Sequence, residues 1–293
     1  MAALFIVSTP IGNLSDITLR ALEILKSADF ILAEDTRTTS VLLKHYGIEA
    51  TPSRLISLHD HNEKDRLERV KTYLSQDKIL ALVSDAGTPL ISDPGYYLVK
   101  NLRAEGFDII SIPGPSAVIS ALSISGLPTD RFLFWGFLPA KATEKRRLFE
   151  SLKENISYRN LTHIFYESKH RLLDTLVLLE NSLGDFPMVL GKELTKQFEQ
   201  VRYDFPKNII QWLKEDEGHL KGEFVILLHL DFDPNKLDPE NTPMLCPEAE
   251  RVLKILLDIE KLSLKEAVKL CVEITKAPKN KVYDLALKMH KIN

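Results

Sequence analysis

Val83-Ser84-Asp85-Ala86-Gly87-Thr88-Pro89-Leu90-Ile91-Ser92-Asp93-Pro94-Gly95 is the stretch on which the fold turns. It follows Ile79 to Val83, a short apolar run that predicts a buried strand, and it precedes Tyr96 to Glu105, whose apolar spacing predicts a helix closed by Gly106. Between them, proline fixes φ and glycine frees it, so the loop is stiff and presents its backbone amides. At the carboxyl end of a strand in an open α/β sheet, such a loop either binds a small ligand or serves as a tight structural connection.

Working outward, the same pattern recurs. Leu4 to Val7 is a strand broken by Ser8-Thr9-Pro10-Ile11-Gly12-Asn13-Leu14, after which Ser15 or Asp16 is expected to cap a helix carrying Ile17, Ala21, Leu22 and Leu25. Phe30 to Ala33 ends in Glu34-Asp35-Thr36-Arg37 and enters a helix closed by Gly47. Leu55 to Leu58 ends in His59-Asp60-His61-Asn62-Glu63, with Asn62 expected to cap a helix through Leu67, Val70 and Leu74. Phe107 to Ile112 ends in Pro113-Gly114-Pro115-Ser116, with Pro115 expected in the first turn of a helix reaching Ser125. Repeats of strand, polar loop and helix predict an α/β domain over 1–125 with a largely parallel sheet covered on both faces. Every polar cluster falls at a strand's carboxyl end, which points to one site on that rim.

Beyond Gly126-Leu127-Pro128 the texture changes. A mixed α/β domain over 126–231 is expected: strands at Phe132 to Phe137, Leu161 to Tyr166 and Gly222 to Leu230, an antiparallel pair at Met188 to Leu194 and Phe198 to Asp204, and helices opening at Lys141, after Arg171 and near Ile209. A cleft between the halves is the expected ligand site. The proline-rich 232–247 predicts a linker, and 248–293 a helical, helix-turn-helix-like module with apolar faces Val252/Ile255/Leu256/Ile259, Leu264/Val268/Leu270/Cys271 and Val282/Leu285/Leu287. From Leu264 onward there are seven lysines against three acids, so the module either touches phosphate or is a solvated appendage serving a dimer contact.

The 293 residues carry a net charge of -3, which argues against wholesale coating of nucleic acid but not against a local basic patch. No apolar run approaches bilayer length, and the start of the chain lacks the basic region of a signal peptide. Cys246 and Cys271 have neither metal nor disulfide spacing, so the cytoplasm is expected. Glycine fingerprints of dinucleotide and P-loop sites are missing, as is a Gly-x-Ser-x-Gly elbow, and His59 and His61 alone are a poor metal site because alternate residues at a strand end point apart. What remains is a ligand held by backbone and carboxylates, with catalysis mainly by positioning.

Thr9-Pro10-Ile11-Gly12-Asn13-Leu14, Ala33-Glu34-Asp35-Thr36-Arg37, Leu58 to Glu63, Ser84 to Gly95, Pro113 to Ala117, Gly136-Phe137-Leu138-Pro139-Ala140-Lys141, Phe165-Tyr166-Glu167-Ser168, Glu193-Leu194-Thr195-Lys196 and Lys221-Gly222-Glu223 run in fixed order. In these motifs the chain resembles, from end to end, the ribosomal RNA small subunit methyltransferase I family of the tetrapyrrole methylase superfamily. The resemblance implies two α/β domains with S-adenosylmethionine folded between them, 2′-O-methylation of a cytidine ribose in the decoding region of 16S rRNA, and a homodimer. A small-molecule, tetrapyrrole-type methyltransferase of the same fold is the alternative, and a non-enzymatic RNA- or ribosome-binding module the third reading. Implied cofactor contacts are Pro10, Ala86, Gly87, Thr88, Pro89, Leu90, Ser116, Ala117, Leu138, Tyr166 and Gly222, with no metal. Candidate bases are Asp85, Asp35 and His59, and Arg37, Lys196, Lys279 and Lys281 are candidates for RNA contact. Lys192 and Lys169 depart from the family pattern, where arginine and a small, polar or proline residue are expected.

Overall fold

The computed structural model describes residues 2–49, 51–59, 61–184, 186–230, 247–259, 262–275 and 279–290. The chain divides into two compact units, 1–145 with 161–229 and 146–160 with 230–293.

The first unit opens with alternating strands and helices: β1 (Ala3–Val7), α1 (Leu19–Ser27), β2 (Phe30–Ala33), α2 (Thr36–His45), β3 (Leu55–Ser57), α3 (Glu63–Ser75), β4 (Ile79–Val83), α4 (Tyr96–Ala104), β5 (Ile109–Ile112) and α5 (Ala117–Ile124). The strands form one sheet in the order β3-β2-β4-β1-β5, and every pairing is parallel. Alternate side chains divide between the faces: Phe5, Val7, Ile31, Ala33 and Val83 pack with α1 and α2, while Leu4, Leu32, Leu80 and Leu82 pack with α3 and α4. After β1 the chain crosses toward β2, whereas after β4 it crosses the other way toward β5. Adjacent strands with oppositely directed exits define the switch point of a doubly wound sheet, where a crevice opens. The loops after β1 and β4 flank it.

The caps differ from expectation at several helices. Asn13 caps a single 3-10 turn at Leu14–Asp16, and Thr18, rather than Ser15 or Asp16, accepts from Ala21 N at the start of α1. Asn62 precedes α3 but its amide is spent on the loop before it, accepting from His59 N and donating to the Ser57 carbonyl. Pro115 lies ahead of Ser116, the residue before α5, so it stiffens the loop rather than the helix. His59 and His61 approach edge to face at 6.1 Å instead of pointing apart, since both lie in a loop past the end of β3.

The chain continues through β6 (Phe132–Phe137), α6 (Ala142–Glu154), β7 (Thr162–Ser168), α7 (Leu172–Leu183), β8 (Met188–Lys192), β9 (Gln200–Asp204), α8 (Pro206–Glu215) and β10 (Glu223–His229). These strands make a second sheet, β6-β7-β10-β8-β9, in which only β6 and β7 run parallel. One face, through Ile164, Val189, Val225 and Leu227, shares a core with Ile11, Val118, Ala121, Leu122 and Leu127. The sheets are thereby joined across apolar surface, each fully buried aliphatic side chain contributing about 1.5–3 kcal/mol. On the opposite face Lys145, Thr175 and Arg171 surround Glu167, whose side chain is wholly buried.

In the second unit α9 (Pro247–Lys254) leads through a π turn at Ile255–Ile259 to α10 (Leu264–Thr275) and α11 (Lys279–His290). The core is Ala249, Leu253, Val268, Cys271, Val282 and Ala286, whereas Ile255, Leu270 and Leu287, expected inside, are exposed. At Ile255 the π turn interrupts the regular helical spacing, while on α10 and α11 the small Ala267 and Ala286 take buried positions. Ser263 and Glu266 form a reciprocal capping box ahead of α10. The linker expected at 232–247 lies outside the described residues up to 246.

One buried carboxyl fixes the far end of the Ser84–Gly95 loop. Glu63, at the start of α3, accepts from Gly95 N at 2.6 Å and Leu98 N at 3.0 Å, capping α4 from a neighbouring helix. Gly95 has φ +122 and no side chain to do this itself. Glu63→Ala leaves two buried N–H groups unpaired and is expected to cost about 2–4 kcal/mol in urea unfolding. A loss under 0.5 kcal/mol would show that the cap is dispensable.

Candidate functional site

The loops after β1, β4 and β5 are tied to one another by polar bonds at their bases. Thr9 and Gly87 exchange both backbone bonds, Thr9 N to the Gly87 carbonyl at 2.8 Å and Gly87 N to the Thr9 carbonyl at 3.0 Å. The Thr9 hydroxyl adds a bond of 3.1 Å to the Ser84 carbonyl. Thr88 Oγ1 donates to the Pro115 carbonyl at 3.1 Å, and having a single proton it accepts from Ser8 Oγ at 2.9 Å. Gly87 sits at φ +84, and a Cβ there would press on Ile11 Cγ2 at 3.3 Å, so this position needs glycine on both counts.

A cleft of about 580 Å³ opens beside this junction, within the size range of sites for drug-sized ligands. Its first-sheet wall includes Ile11, Ala86, Gly87, Thr88, Asp93, Ser116 and Ala117, and its second-sheet wall includes Phe137, Tyr166, Lys169, Glu193, Lys196 and Gly222. The second wall is also locally fixed. A bulge between Phe134 and Phe137 places Gly136, at φ +71, so that a Cβ would lie 3.3 Å from Ser92 Oγ. Leu138 N donates to the Tyr166 carbonyl at 3.0 Å. Glu193 and Thr195 hold left-handed backbone, Asn13 N donates to Thr195 Oγ1 at 3.1 Å, and Lys196 lies so close over Gly12 that a Cβ there would come within 2.3 Å of Lys196 Cγ.

The implied cofactor contacts divide accordingly. Ala86, Gly87, Thr88, Ser116, Ala117, Tyr166 and Gly222 line the cleft. Pro10 and Pro89 are buried just behind it, Leu90 packs against the core under α4, and Leu138 is buried beside Tyr166. None of the three candidate bases lines the cleft. Asp85 lines a smaller side cavity of about 260 Å³ with Leu14, Thr38, Val41 and His45, and its Oδ1 accepts from Asp35 N at 3.2 Å. Asp35 is clamped by Arg37, with Nε contacts of 3.0 and 3.2 Å and an Nη2 contact of 2.5 Å, and these bonds hold its carboxyl down at about 2. His59 is exposed and is bonded by the Asn62 amide. Lys196 lines the cleft but is paired with Glu193 at 2.8 Å and Glu223 at 3.0 Å. Arg37 and Lys279 are exposed, and the side chain of Lys281 lies outside the described residues. Of the two departures, Lys192 is buried on β8 and Lys169 lines the cleft.

The electrostatics distinguish the four acidic residues along the cleft, of which Glu167 turns its side chain to the opposite face of the sheet. Burial raises Glu167, but bonds from Lys145, Thr175 and Ser168 N more than offset it, and the group ends below the usual range. Glu193 is likewise lowered on balance, burial being outweighed by Lys196 and Glu223 N. Glu223 is an exposed partner of Lys196. Asp93, which the sequence reading passed over, moves the other way. Burial pushes it up to about 6, outweighing the lowering effect of a Ser84 hydrogen bond, with lesser help from the charges of Glu34 and Asp85. Tyr166 faces it with a hydroxyl pushed up to about 12 by burial and by Asp93. Among the described residues no cluster of His, Cys, Asp and Glu could hold a metal.

Residues 3–205 match the model of the Tetrapyrrole (Corrin/Porphyrin) Methylases, and the chain belongs to this family. It is therefore an S-adenosylmethionine-dependent methyltransferase. More particularly, it is 47% identical over 97% of its length to the Ribosomal RNA small subunit methyltransferase I of Escherichia coli O157:H7, covering 94% of that protein. It is 42% identical over 97% of its length to the protein of the same name from Haemophilus influenzae, covering 96% of it. Residues 245–290 match the RsmI C-terminal HTH domain. Among solved structures the fold is similar to diphthine synthase (TM-score 0.60, 16% identity, 78% of this chain and 90% of that one) and to the methyltransferase CobJ (TM-score 0.54, 15% identity, 78% and 95%).

The cleft suits the cofactor on its own terms. Adenosine needs backbone donors and acceptors at close range, which the glycine-containing loops expose, and a sulfonium needs a wall whose net charge is not positive. The lining supplies Asp93 and pairs Lys196 with two acids. Gly87→Ala is expected to weaken S-adenosylmethionine binding at least tenfold by calorimetry, because the added methyl pushes Ile11 and strains the backbone where the loops join. Gly126→Ala, at φ +72 with open space around the methyl, is the control and should leave affinity unchanged. Equal affinity of both variants would place the cofactor away from Gly87.

Proposed function

We propose that this protein transfers a methyl group from S-adenosylmethionine to the 2′-hydroxyl of a cytidine in 16S rRNA, acting on the rRNA or the small ribosomal subunit. The observation that carries the reading is end-to-end similarity to proteins named Ribosomal RNA small subunit methyltransferase I, together with a cleft whose walls come from the family's motifs. Bound in the cleft, the cofactor supplies an electrophilic methyl carbon on a sulfonium. Gly87, Thr88, Ser116 and Ala117 hold it from the first sheet, while Tyr166 and Gly222 close the second side. Asp85 and the Asp35–Arg37 pair stand on the rim outside the cleft, where they meet the incoming RNA, and Arg37, with its side chain 90% exposed, reaches phosphate there. Lys279 and Lys281 on α11 supply further positive charge for the RNA backbone.

We also assign the protein to the cytoplasm, as a homodimer. The edge strand β9 and its flanks leave Phe198 (65%), Tyr203 (57%) and Val201 (37%) exposed, an apolar row that a second copy would cover. Sedimentation at micromolar concentration should read the dimer mass, and a monomer there contradicts the assignment.

Incubation with methyl-labelled S-adenosylmethionine and unmodified small subunits should label 16S rRNA at a single alkali-resistant cytidine linkage, because methylation removes the hydroxyl that attacks the phosphate. Label appearing in a tetrapyrrole and not in rRNA would establish the small-molecule alternative.

A further inference from the structure

We propose that the side cavity beside Asp85 takes the base of the methylated cytidine, with Asp85 reading its C4 amine. This deepens the reading above and rests on it. In a ribonucleotide the base hangs from the sugar carbon next to the one that bears the 2′-hydroxyl, so a pocket for the base has to adjoin the point of methyl transfer. The side cavity does so: Asp85 lines the cavity, and Ala86, the next residue, lines the cleft. Consecutive Cα atoms lie about 3.8 Å apart, so a single nucleotide spans the two.

At about 260 Å³ the cavity is smaller than the sites of drug-sized ligands and suits one planar ring. Its walls are largely apolar, from Leu14, Val41 and Leu42, and they are preformed. The Tyr46 hydroxyl donates to the Leu14 carbonyl and holds that wall in place. Thr39 N donates to the Asp35 carbonyl at 3.0 Å, which ties the first turn of α2 to the end of β2.

The polar groups along the cavity are those the fold leaves unspent. Thr39 is 2% exposed, yet its hydroxyl has no hydrogen-bond partner among the described residues, a condition that calls for a ligand or water. The Thr38 hydroxyl and the His45 ring likewise make no hydrogen bond among the described residues. Asp85 spends Oδ1 on Asp35 N at 3.2 Å and keeps Oδ2 without a hydrogen bond.

Apolar walls with hydroxyl donors and a carboxylate acceptor match cytosine, whose C4 amine donates where uracil presents a carbonyl. A carboxylate accepts from the amine and repels the carbonyl, so Asp85 separates the two pyrimidines. The threonine hydroxyls serve the acceptors of the ring. Arg37, one residue before Thr38 and with its side chain 90% exposed, is placed for the phosphate of the same nucleotide.

The test measures methyl transfer to unmodified small subunits whose target cytidine is kept or replaced by uridine, at saturating S-adenosylmethionine. Wild type is expected to prefer cytidine by about 10- to 100-fold, the discrimination of one well-placed base contact. Asp85→Asn, whose amide can donate to the uracil carbonyl, should bring the two rates within threefold of each other, with cofactor affinity unchanged by calorimetry. Thr39→Val, which keeps the shape and removes the hydroxyl, should lower kcat/KM on cytidine subunits about tenfold, again without changing cofactor affinity. An Asp85→Asn variant that slows both substrates equally overturns the proposal, because loss of a proton acceptor or of a structural acid would do that without altering the preference. Wild type methylating uridine subunits within threefold of cytidine subunits overturns it with no variant at all, so the outcome does not hinge on a variant's folding. Methylation without base preference leaves the rRNA reading standing and defeats the cavity assignment alone, whereas no methylation of either rRNA defeats the rRNA reading itself and the assignment with it.

Discussion

Everything at this site depends on a pair of backbone hydrogen bonds between loops that are remote in sequence, the reciprocal bonds of Thr9 and Gly87. They join the loops after β1 and β4, the two central strands from which the chain departs in opposite directions. A crevice at such a switch point is a consequence of topology, but its shape is not. The shape comes from the local chemistry: a glycine with positive φ at the crossing, a Ser8–Thr88–Pro115 chain that brings in the loop after β5, and prolines that restrict the rest. Because the bonds lie at the base of the loops, the exposed amides beyond them are left for a ligand.

The second sheet contributes by being joined to the first through a shared apolar core, and its own polar groups are arranged so as not to compete for the cofactor. Glu167 is taken up by Lys145, Arg171 and Thr175 on the helix-covered face, and Lys196 by Glu193 and Glu223. A buried pair such as Lys145–Glu167 adds little net stability, yet breaking it is costly, so it specifies geometry more than it strengthens the fold. The consequence is a cleft in which one acid keeps a raised proton affinity beside a tyrosine that stays protonated. That combination is compatible with a positively charged donor and a hydroxyl acceptor.

Much of the architecture was legible in the sequence because its cause is periodic. Apolar runs of four or five residues followed by Pro/Gly loops gave the parallel sheet, and the pairing of β8 with β9 was readable from two adjacent runs. Caps were less legible: Asn62 has the right type and position for α3, but the loop before the helix offered its amide nearer partners. After α9 the π turn broke the spacing on which one expected face relied, and on α10 and α11 alanines took buried positions. At the site, Gly87, Thr88 and Ser116 were legible as members of stiff loops. Asp93 lies in the same stretch as Asp85 and is no more conspicuous. What separates them is burial and partners, which depend on Glu34 and Tyr166 from other strands as well as on nearby Ser84, and could not be read along the chain.

The most direct measurement is a crystal structure of the protein with S-adenosylhomocysteine. The account predicts the compound in the cleft, its adenosine against Gly87, Thr88, Ser116 and Ala117, and its sulfur facing the side of the cleft that Asp93 and Tyr166 form. The compound bound in the side cavity beside Asp85, or outside the Thr9–Gly87 junction altogether, would contradict it.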